Sequence, residues 1–481
     1  MSSRRKLRHP AKSIYSLNGR LPKFLGAALS VVVLALSQSG QAQEPALIPP
    51  LEASVPASVA TTTLQECIQR ALSQNQSLWA KRHEVDAAGE RITVASSFAN
   101  PQLGVMGWPS GASPQWVDGR MSSETSFSQK TLWPGKRQLD GAAAQAEFCR
   151  QKSEYSQFEL ETIESVTMAY AELRYYQTIL EVFQQSRKLS DDLRAATEAK
   201  YRVATATQQD VLRAEFEQKR VDLEILQLAA ESTAAHSRLV ALLHLPFGEK
   251  IQTVANDRQQ LELDLEKLVD LALHSRPDIR AADIELARTQ LLTQRAVMDY
   301  KPDITWNVNL GTMTDRRAMS PLAENGINLG LGVMLDLPLY RSRLDAAIRD
   351  REASSLAAAR TRDAAMDRAT QQVVELVALA QAQKAVVDLY NSDLVPLAEQ
   401  TLEASAGDYR NNRVDLLQLV DNWRKLLDSQ IARSRTEMQL QKTFASLERA
   451  VGGQLAPNHE ATQPALESAA LRSVPNSPRI K

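Results

Sequence analysis

The run INLGLGVMLDLPLY, Ile327–Tyr340, decides how this chain is read. Taken as a strand, it points Ile327, Leu329, Leu331, Val333, Leu335 and Leu337 to one side and Asn328, Gly330, Gly332, Met334 and Asp336 to the other. DITWNVNLGT, Asp303–Thr312, alternates in the same way: Ile304, Trp306, Val308 and Leu310 lie opposite Thr305, Asn307, Asn309 and Gly311. Ribbons of about ten residues, apolar on one face and polar on the other, suit a barrel strand with lipid outside and water inside. A small sheet laying its oily face on helices is the soluble alternative, and alternation alone does not choose between them.

Almost everything else reads as helix. Long tracts rich in Ala, Gln, Leu, Arg and Glu predict long helices, and 18 glycines are few for an all-β protein of 481 residues. A formal net charge of -1 gives no reason to expect nucleic acid as a partner. A mean hydropathy of -0.31 excludes a multi-span helical membrane protein. At the N-terminus, Arg4, Arg5, Lys6, Arg8 and Lys12 precede the apolar run Phe24–Leu36, and small residues end at Ala42. Residues 1–42 therefore read as a secretory signal, with an apolar run too short to span a bilayer. Residues 43–62 read as an extended tether, and residues 454–481, with Pro457, Pro464, Pro475 and Pro478, as a disordered tail. Cys67 and Cys149 are the only cysteines. Each sits in an apolar helical pattern, so buried free thiols are expected, although export would permit a bridge.

The chain repeats itself. TLQECIQRALSQNQSL from Thr63 matches DLEKLVDLALHSRPDI from Asp264, an offset of 201 that persists to Pro101 against Pro302. Trp133-Pro134 then lies opposite Leu337-Pro338, Leu139-Asp140 opposite Leu344-Asp345, and Tyr201-Arg202 opposite Tyr409-Arg410, at offsets of 204, 205 and 208. This gives two repeats, 63–250 and 251–453. The pattern predicts short helices over 64–75 and 77–99, strands over 101–109 and 123–133 around a loop at 109–122, and long helices over 137–200 and 208–245. The second repeat predicts strands over 303–312 and 327–337 and long helices over 342–405 and 413–451. Pro101, Pro134, Pro302 and Pro338 sit where strand hands over to helix, since proline ends the ladder of either. Leu212, Phe216, Lys219, Leu223, Leu226 and Ala230 recur in steps of four and three, a narrow coiled-coil seam.

Lipid offers no hydrogen bonds to an open sheet edge, so a spanning sheet must close, and four strands cannot. Copies of the chain must pool strands; two would supply eight and three would supply twelve. The sequence pattern leaves both open.

TLQECIQRALSQNQSL, SQKTLWPGKRQL and YRNNRVDLLQLVDNWRKLLDSQ, in a doubled layout of two strands and two long helices, resemble the TolC-type outer-membrane efflux family. The resemblance covers Thr63 to Gly453. It implies an α+β membrane protein built from a duplicated unit, with four transmembrane strands per chain in a trimeric 12-stranded β-barrel. A long α-helical coiled-coil barrel would continue it across the periplasm. The implied role is a passive exit duct without a cofactor. The implied partners are a periplasmic adaptor protein and an inner-membrane pump of the resistance-nodulation-division type. The WPGKR segment is similar to members that serve heavy-metal pumps, so metal cations or drugs are the expected cargo. The exit duct of a type I protein-secretion system is the alternative within the family, and a soluble periplasmic coiled-coil scaffold the alternative outside it.

The same resemblance marks the helix-to-helix turns at 201–210 and 409–421 as periplasmic tips that close like an iris. Asp421 falls on an acidic gate position, and Gln418 falls where many relatives carry another acid. Asp210, Tyr409 and Arg410 are candidates for contacts that link neighbouring coils. Ala204 and Asn412 stand where relatives often carry a turn glycine, and alanine adopts positive φ poorly. Trp108, Trp133 and Trp306 would form an interfacial aromatic belt. The six histidines show no HExxH-type spacing, no phosphate loop or nucleophile elbow appears, and no catalytic or metal site is expected. Met106, Met121, Met313, Met319 and Met334 fall in strands and loops; thioethers suit Cu(I), but flexible filling of surfaces accounts for them as well.

Overall fold

The computed structural model describes residues 60–107, 115–116, 119–246, 248–254, 264–313, 327–411 and 413–453. The segments expected to be the secretory signal, most of the tether and the C-terminal tail, together with Trp108 and Asn412, lie outside them.

In chain order the elements are β1 (Ala60–Thr62), α1 (Leu64–Gln74), α2 (Gln76–Ser96), β2 (Gln102–Gly107), β3 (Gln115–Trp116), β4 (Gly119–Thr131), α3 (Lys136–Arg202) and α4 (Gln208–Leu242). The second repeat runs β5 (Ile251–Thr253), α5 (Leu265–Ser275), α6 (Pro277–Val297), β6 (Asp303–Met313), β7 (Ile327–Asp336) and α7 (Arg341–Leu389). A π turn (Tyr390–Leu394) joins α7 to α8 (Val395–Arg410), and α9 (Leu416–Val451) ends the described chain. The duplication is visible in lengths: α1 and α5 each have 11 residues, and α2 and α6 each have 21. α3 has 67 residues, about 100 Å at 1.5 Å per residue.

Three features differ from the sequence expectation. β4 starts at Gly119 rather than in the 120s, and Gln115–Trp116 pairs back on it, so the expected loop at 109–122 is partly sheet. β1 and β5 form a small parallel ladder that ties the end of the tether to the start of the second repeat. The Tyr170 hydroxyl holds it by accepting from the Val254 amide at 2.8 Å. The helix expected over 342–405, the first long one of the second repeat, is broken by the π turn. Along it the row of inward-facing side chains runs Val373, Ala380, Val387, Val395, Leu402 and Tyr409, in steps of seven except for one step of eight. The π turn occupies that step. Its wider winding takes up one extra residue without rotating the row off its partner.

Each repeat has its own core near the α1 or α5 level. Cys67, Ile68 and Ala71 of α1 pack on Val166, Tyr170 and Leu173 of α3 and on Leu239 and Leu243. Leu268 and Ala272 of α5 pack on Val373 and Val377 of α7 and on Leu447, Ala450 and Val451. Cys67 is fully buried, and burial pushes its thiol up to about 11, so it is an inert side chain of the core. Both cysteines are free thiols.

The main sheet has the order β2–β4–β6–β7, all antiparallel, with β2 and β7 at its edges. The helices beside it keep the same order: α2 packs on α3, α3 on α6, and α6 on α7. The strand-to-helix corner between the repeats is tied by charge. Lys136, buried at the start of α3, donates from Nζ to Asp303 Oδ1 at 2.8 Å and to the Lys301 carbonyl at 3.0 Å, and the Trp133 amide donates to the same carboxylate at 3.2 Å. Among the described residues no helix is long and apolar enough to cross a membrane.

Candidate channel wall and periplasmic gate

Register fixes which side chains share a face of the sheet. Leu103, Phe127, Val308 and Leu331 are successive partners across all four strands, and Val105, Thr125, Leu310 and Leu329 form the next row. Gln129, Trp306 and Val333 follow on the same face. This face is open: Val105 is 72 % and Leu331 79 % exposed, and Leu103, Phe127, Trp306, Val308, Leu310 and Leu335 are exposed as well. The soluble alternative, a sheet laid on helices, is therefore not what the chain builds. The opposite face carries Gly104, Ser126, Asn309 and Gly330 in one row and Gln102, Ser128, Asn307 and Gly332 in another. Lys130 Nζ reaches Asp336 Oδ2 at 2.9 Å on that polar face. Met106 and Met334 also lie there, but they sit near opposite ends of the ladder, so one chain does not bring them together. Among the described residues no cluster of His, Cys, Asp or Glu could hold a metal ion.

Trp306 is half exposed on the apolar face, and Trp133 is half-buried just past the end of β4. Trp108 lies outside the described residues.

At the far end, α3 and α4 meet α8 and α9. Ala214, Tyr409, Leu416, Leu419 and Val420 form one buried cluster, and Ile179, Phe183, Val221 and Trp423 another. Tyr409 is buried: its hydroxyl lies 3.2 Å from Thr197 Oγ1, whose own proton goes to the Leu193 carbonyl, so Tyr409 is the donor. Lys200 Nζ stands 3.8 Å over the Tyr409 ring and donates to its carbonyl. Within one chain Tyr409 thus joins the two coils. Arg410 is exposed beside it and borders, with Asp192, a hollow of about 220 Å3. Asp210 lies in a capping box: its carboxylate accepts from the Thr207 amide at 2.9 Å, while its amide donates to Thr207 Oγ1 at 3.2 Å. Gln418 holds the corresponding place on α9, its amide donating to Asp415 Oδ1 at 2.9 Å. Asp421 is exposed, and its carboxylate meets Lys425 Nζ at 2.8 Å one turn on.

Two contacts here escaped sequence reading, and one doubtful turn took the strained form. Glu217 of α4 is buried, and both its carboxylate oxygens accept from one edge of the Arg424 guanidinium of α9, through Nε and Nη2. Asn422 donates to Ser405 Oγ at 2.6 Å between α9 and α8. Ala204 does take positive φ, at 61°, in a turn closed by the Thr205 amide on the Lys200 carbonyl. The expected seam on α4 also faces elsewhere. Over its first half α4 buries Ala214, Glu217 and Val221, while Leu212, Phe216, Leu223 and Leu226 stay exposed. The helix turns its smaller and paired side chains inward, which leaves the larger apolar row uncovered by its own chain.

A sheet with an uncovered apolar face and a polar opposite face, carried on helices about 100 Å long, defines a membrane-embedded β-ribbon with an extramembrane coiled-coil stalk. The outer membrane efflux protein family model matches residues 67–244 and 268–453, once for each repeat, and the chain belongs to that family. Nodulation protein T of Rhizobium leguminosarum bv. trifolii is 24% identical over 411 residues, covering 82% of this chain and 86% of that protein. Among solved structures, the fold is similar to CusC, with TM-score 0.70 at 17% identity over 87% of this chain and 100% of that one. It is also similar to the outer membrane protein VceC of Vibrio cholerae, with TM-score 0.67 at 20% identity over 82% of this chain and 97% of that one. The protein is an outer-membrane channel that extends into the periplasm and serves as an efflux exit duct. It is not an enzyme.

Proposed function

We propose that three copies pool their four-stranded sheets into one 12-stranded barrel and their helices into one hollow stalk. Solutes then pass without energy input from an inner-membrane pump of the resistance-nodulation-division type, through a periplasmic adaptor, to the outside. The observation that carries this is the sheet itself: its apolar face is uncovered, and both edges, β2 and β7, are unpaired among the described residues. In lipid such a sheet is stable only if its edges are paired. Four strands per copy reach closure in multiples, and family membership supports three. The exposed Leu212, Phe216, Leu223 and Leu226 of α4 are then covered by a neighbouring copy in the stalk. Trp133 and Trp306 sit at the level of the lipid headgroups.

At the periplasmic end Asp421 and Gln418 line the narrowest ring, and Asp210, Tyr409 and Arg410 hold neighbouring coils closed. Three Asp421 carboxylates around one axis repel one another and attract cations; the i,i+4 Lys425 moderates each. Heavy-metal cations or drugs are the cargo, a reading supported by the WPGKR segment at the β4–α3 corner.

Planar-bilayer recording tests the gate. Asp421→Ala is expected to raise single-channel conductance and weaken block by multivalent cations. Unchanged conductance and block would remove Asp421 from the ring. Growth of a deletion strain on copper, silver, zinc, cobalt and a drug panel separates the cargo classes.

A further inference from the structure

The contact between the two repeats inside one chain is mirrored by an unfilled contact at the chain's edges. Inside the chain, the turn after β4 (Trp133–Lys136) is seated on the end of α6: a Cβ on Gly135 would lie 3.7 Å from Met298 Cε, and Lys136 Nζ meets Asp299 at 3.5 Å and Asp303 at 2.8 Å. The repeat equates that turn with Leu337–Arg341 after β7, and the end of α6 with the end of α2. Gly135 becomes Tyr340, Lys136 becomes Arg341, and Met298, Asp299 and Asp303 become Ser97, Phe98 and Gln102.

In one chain these two equivalents lie at opposite edges of the layer and are uncovered. Tyr340 is 80 % exposed, and Leu337 and Leu339 are exposed too. Val94 is 75 % and Phe98 63 % exposed, at the mouth of a hollow of about 850 Å3 between the end of α2 and the β4–α3 turn. The Arg137 guanidinium stacks 3.8 Å over one face of the Phe98 ring.

We infer that the Leu337–Arg341 turn of one copy seats on the Val94–Gln102 segment of the next, copying between chains the contact the repeats make within one. Tyr340 packs beside Ser97 and Val94. Arg341 takes the second face of Phe98 and donates to the Gln102 side-chain carbonyl. The ion pairs of the internal contact thereby become a cation–π contact and a neutral hydrogen bond, which the exchange of Asp299 for Phe98 and Asp303 for Gln102 requires. The geometry is head-to-tail, so it closes a ring rather than a two-fold dimer. Continuity supports the second copy as occupant: the same placement brings the open edge of β7 to the open edge of β2, and α7 to α2.

This inference rests on the multi-copy duct, and the test separates the two. Ser97→Cys and Tyr340→Cys are placed together in a Cys149→Ser background, and the detergent-purified protein is oxidised. Linked trimers are expected on a non-reducing gel, and mixing chains that carry one cysteine each should give linked dimers only. A native mass of three chains with no link between chains overturns the seating and leaves the duct standing. A native mass of one chain overturns both. As a second measurement, Arg341→Glu is expected to raise the trimer dissociation constant about tenfold, and adding Gln102→Arg to recover most of that loss. Equal dissociation of all three forms also overturns the contact.

Discussion

Two corners of the molecule do the same job with different chemistry. In the first repeat the α1–α2 corner meets the end of α4 through Asn75: its side-chain amide donates to the Leu242 carbonyl at 3.3 Å, and its oxygen accepts from the Ser77 amide at 2.9 Å. In the second repeat the equivalent residue is Arg276. Its guanidinium donates to the Ala450 carbonyl at 3.3 Å, to Gln372 at 2.9 Å and to Asp278 at 2.6 Å. Ala450 is the repeat equivalent of Leu242, so the same carbonyl is capped in both corners. A neutral amide, part exposed, replaces a buried cation. Burial pushes the Asp278 carboxyl up, but the Arg276 bonds outweigh it and hold it below its usual value. The backbone plan thus accommodates very different polar groups as long as each supplies a donor to that carbonyl.

The sharpest way to break that equivalence is to delete each donor. Arg276→Ala leaves the Ala450 carbonyl and Asp278 without their cation in a buried corner, and should cost about 3 kcal/mol or more. Asn75→Ala removes a helix cap at the half-exposed corner and should cost about 1 kcal/mol. Urea unfolding of the detergent-solubilised protein measures both. Equal losses would show that the two corners are energetically alike, and the comparison would fail.

The ends of α4 and α9 give a second contrast. Both helices stop in a left-handed residue, His244 at φ 53° and Gly452 at φ 88°. A Cβ on Gly452 would stand 2.9 Å from the Ser275 carbonyl carbon, a backbone atom with little freedom to move. Gly452→Ala should therefore combine αL strain with a backbone clash and cost about 2–4 kcal/mol. His244→Gly relieves strain without creating a contact, and should change stability by less than about 1 kcal/mol. Thermal melting orders the two variants. If Gly452→Ala melts with the native protein, the close approach of α9 to the α5–α6 corner is not a constraint.

Much of this was legible in the sequence because it is periodic. Strict alternation over Ile304–Leu310 and Leu329–Leu337 fixed which face would be apolar, and the 201-residue offset placed α5 and α6 from α1 and α2. The π turn was not expected, although its trace is there as a single step of eight among steps of seven from Val373 to Tyr409. The cap made by Asp210 was likewise not expected, although it stands three residues after Thr207 at the start of a helix, which is capping-box spacing. Other features were not legible because they join residues far apart with no repeating pattern. Lys136 and Asp303 are such a pair, as are Glu217 and Arg424, and the three-residue β1–β5 ladder is too short to carry alternation. Which stripe of α4 turns inward was ambiguous for a physical reason. This helix carries apolar residues on more than one side, and only one of those rows meets its own chain.

The tip of the first coil offers the mildest and most informative change. Ala204 sits at φ 61° where its Cβ opposes the preceding carbonyl, and the turn is kept by the Ala204 amide on the Tyr201 carbonyl at 3.0 Å and the Thr205 amide on the Lys200 carbonyl at 2.9 Å. Glycine removes the steric cost but adds freedom to the unfolded chain, so Ala204→Gly should stabilise the protein by about 0.5–1 kcal/mol. The same turn positions Lys200, whose ammonium lies over Tyr409 and holds the second coil to the first. In the proposed gate a tip relieved of strain has less reason to open, so the variant should combine a slightly higher melting temperature with a smaller open fraction in bilayer recordings. A rise in stability with unchanged gating would confine the strain to the turn and uncouple it from the contact between the coils.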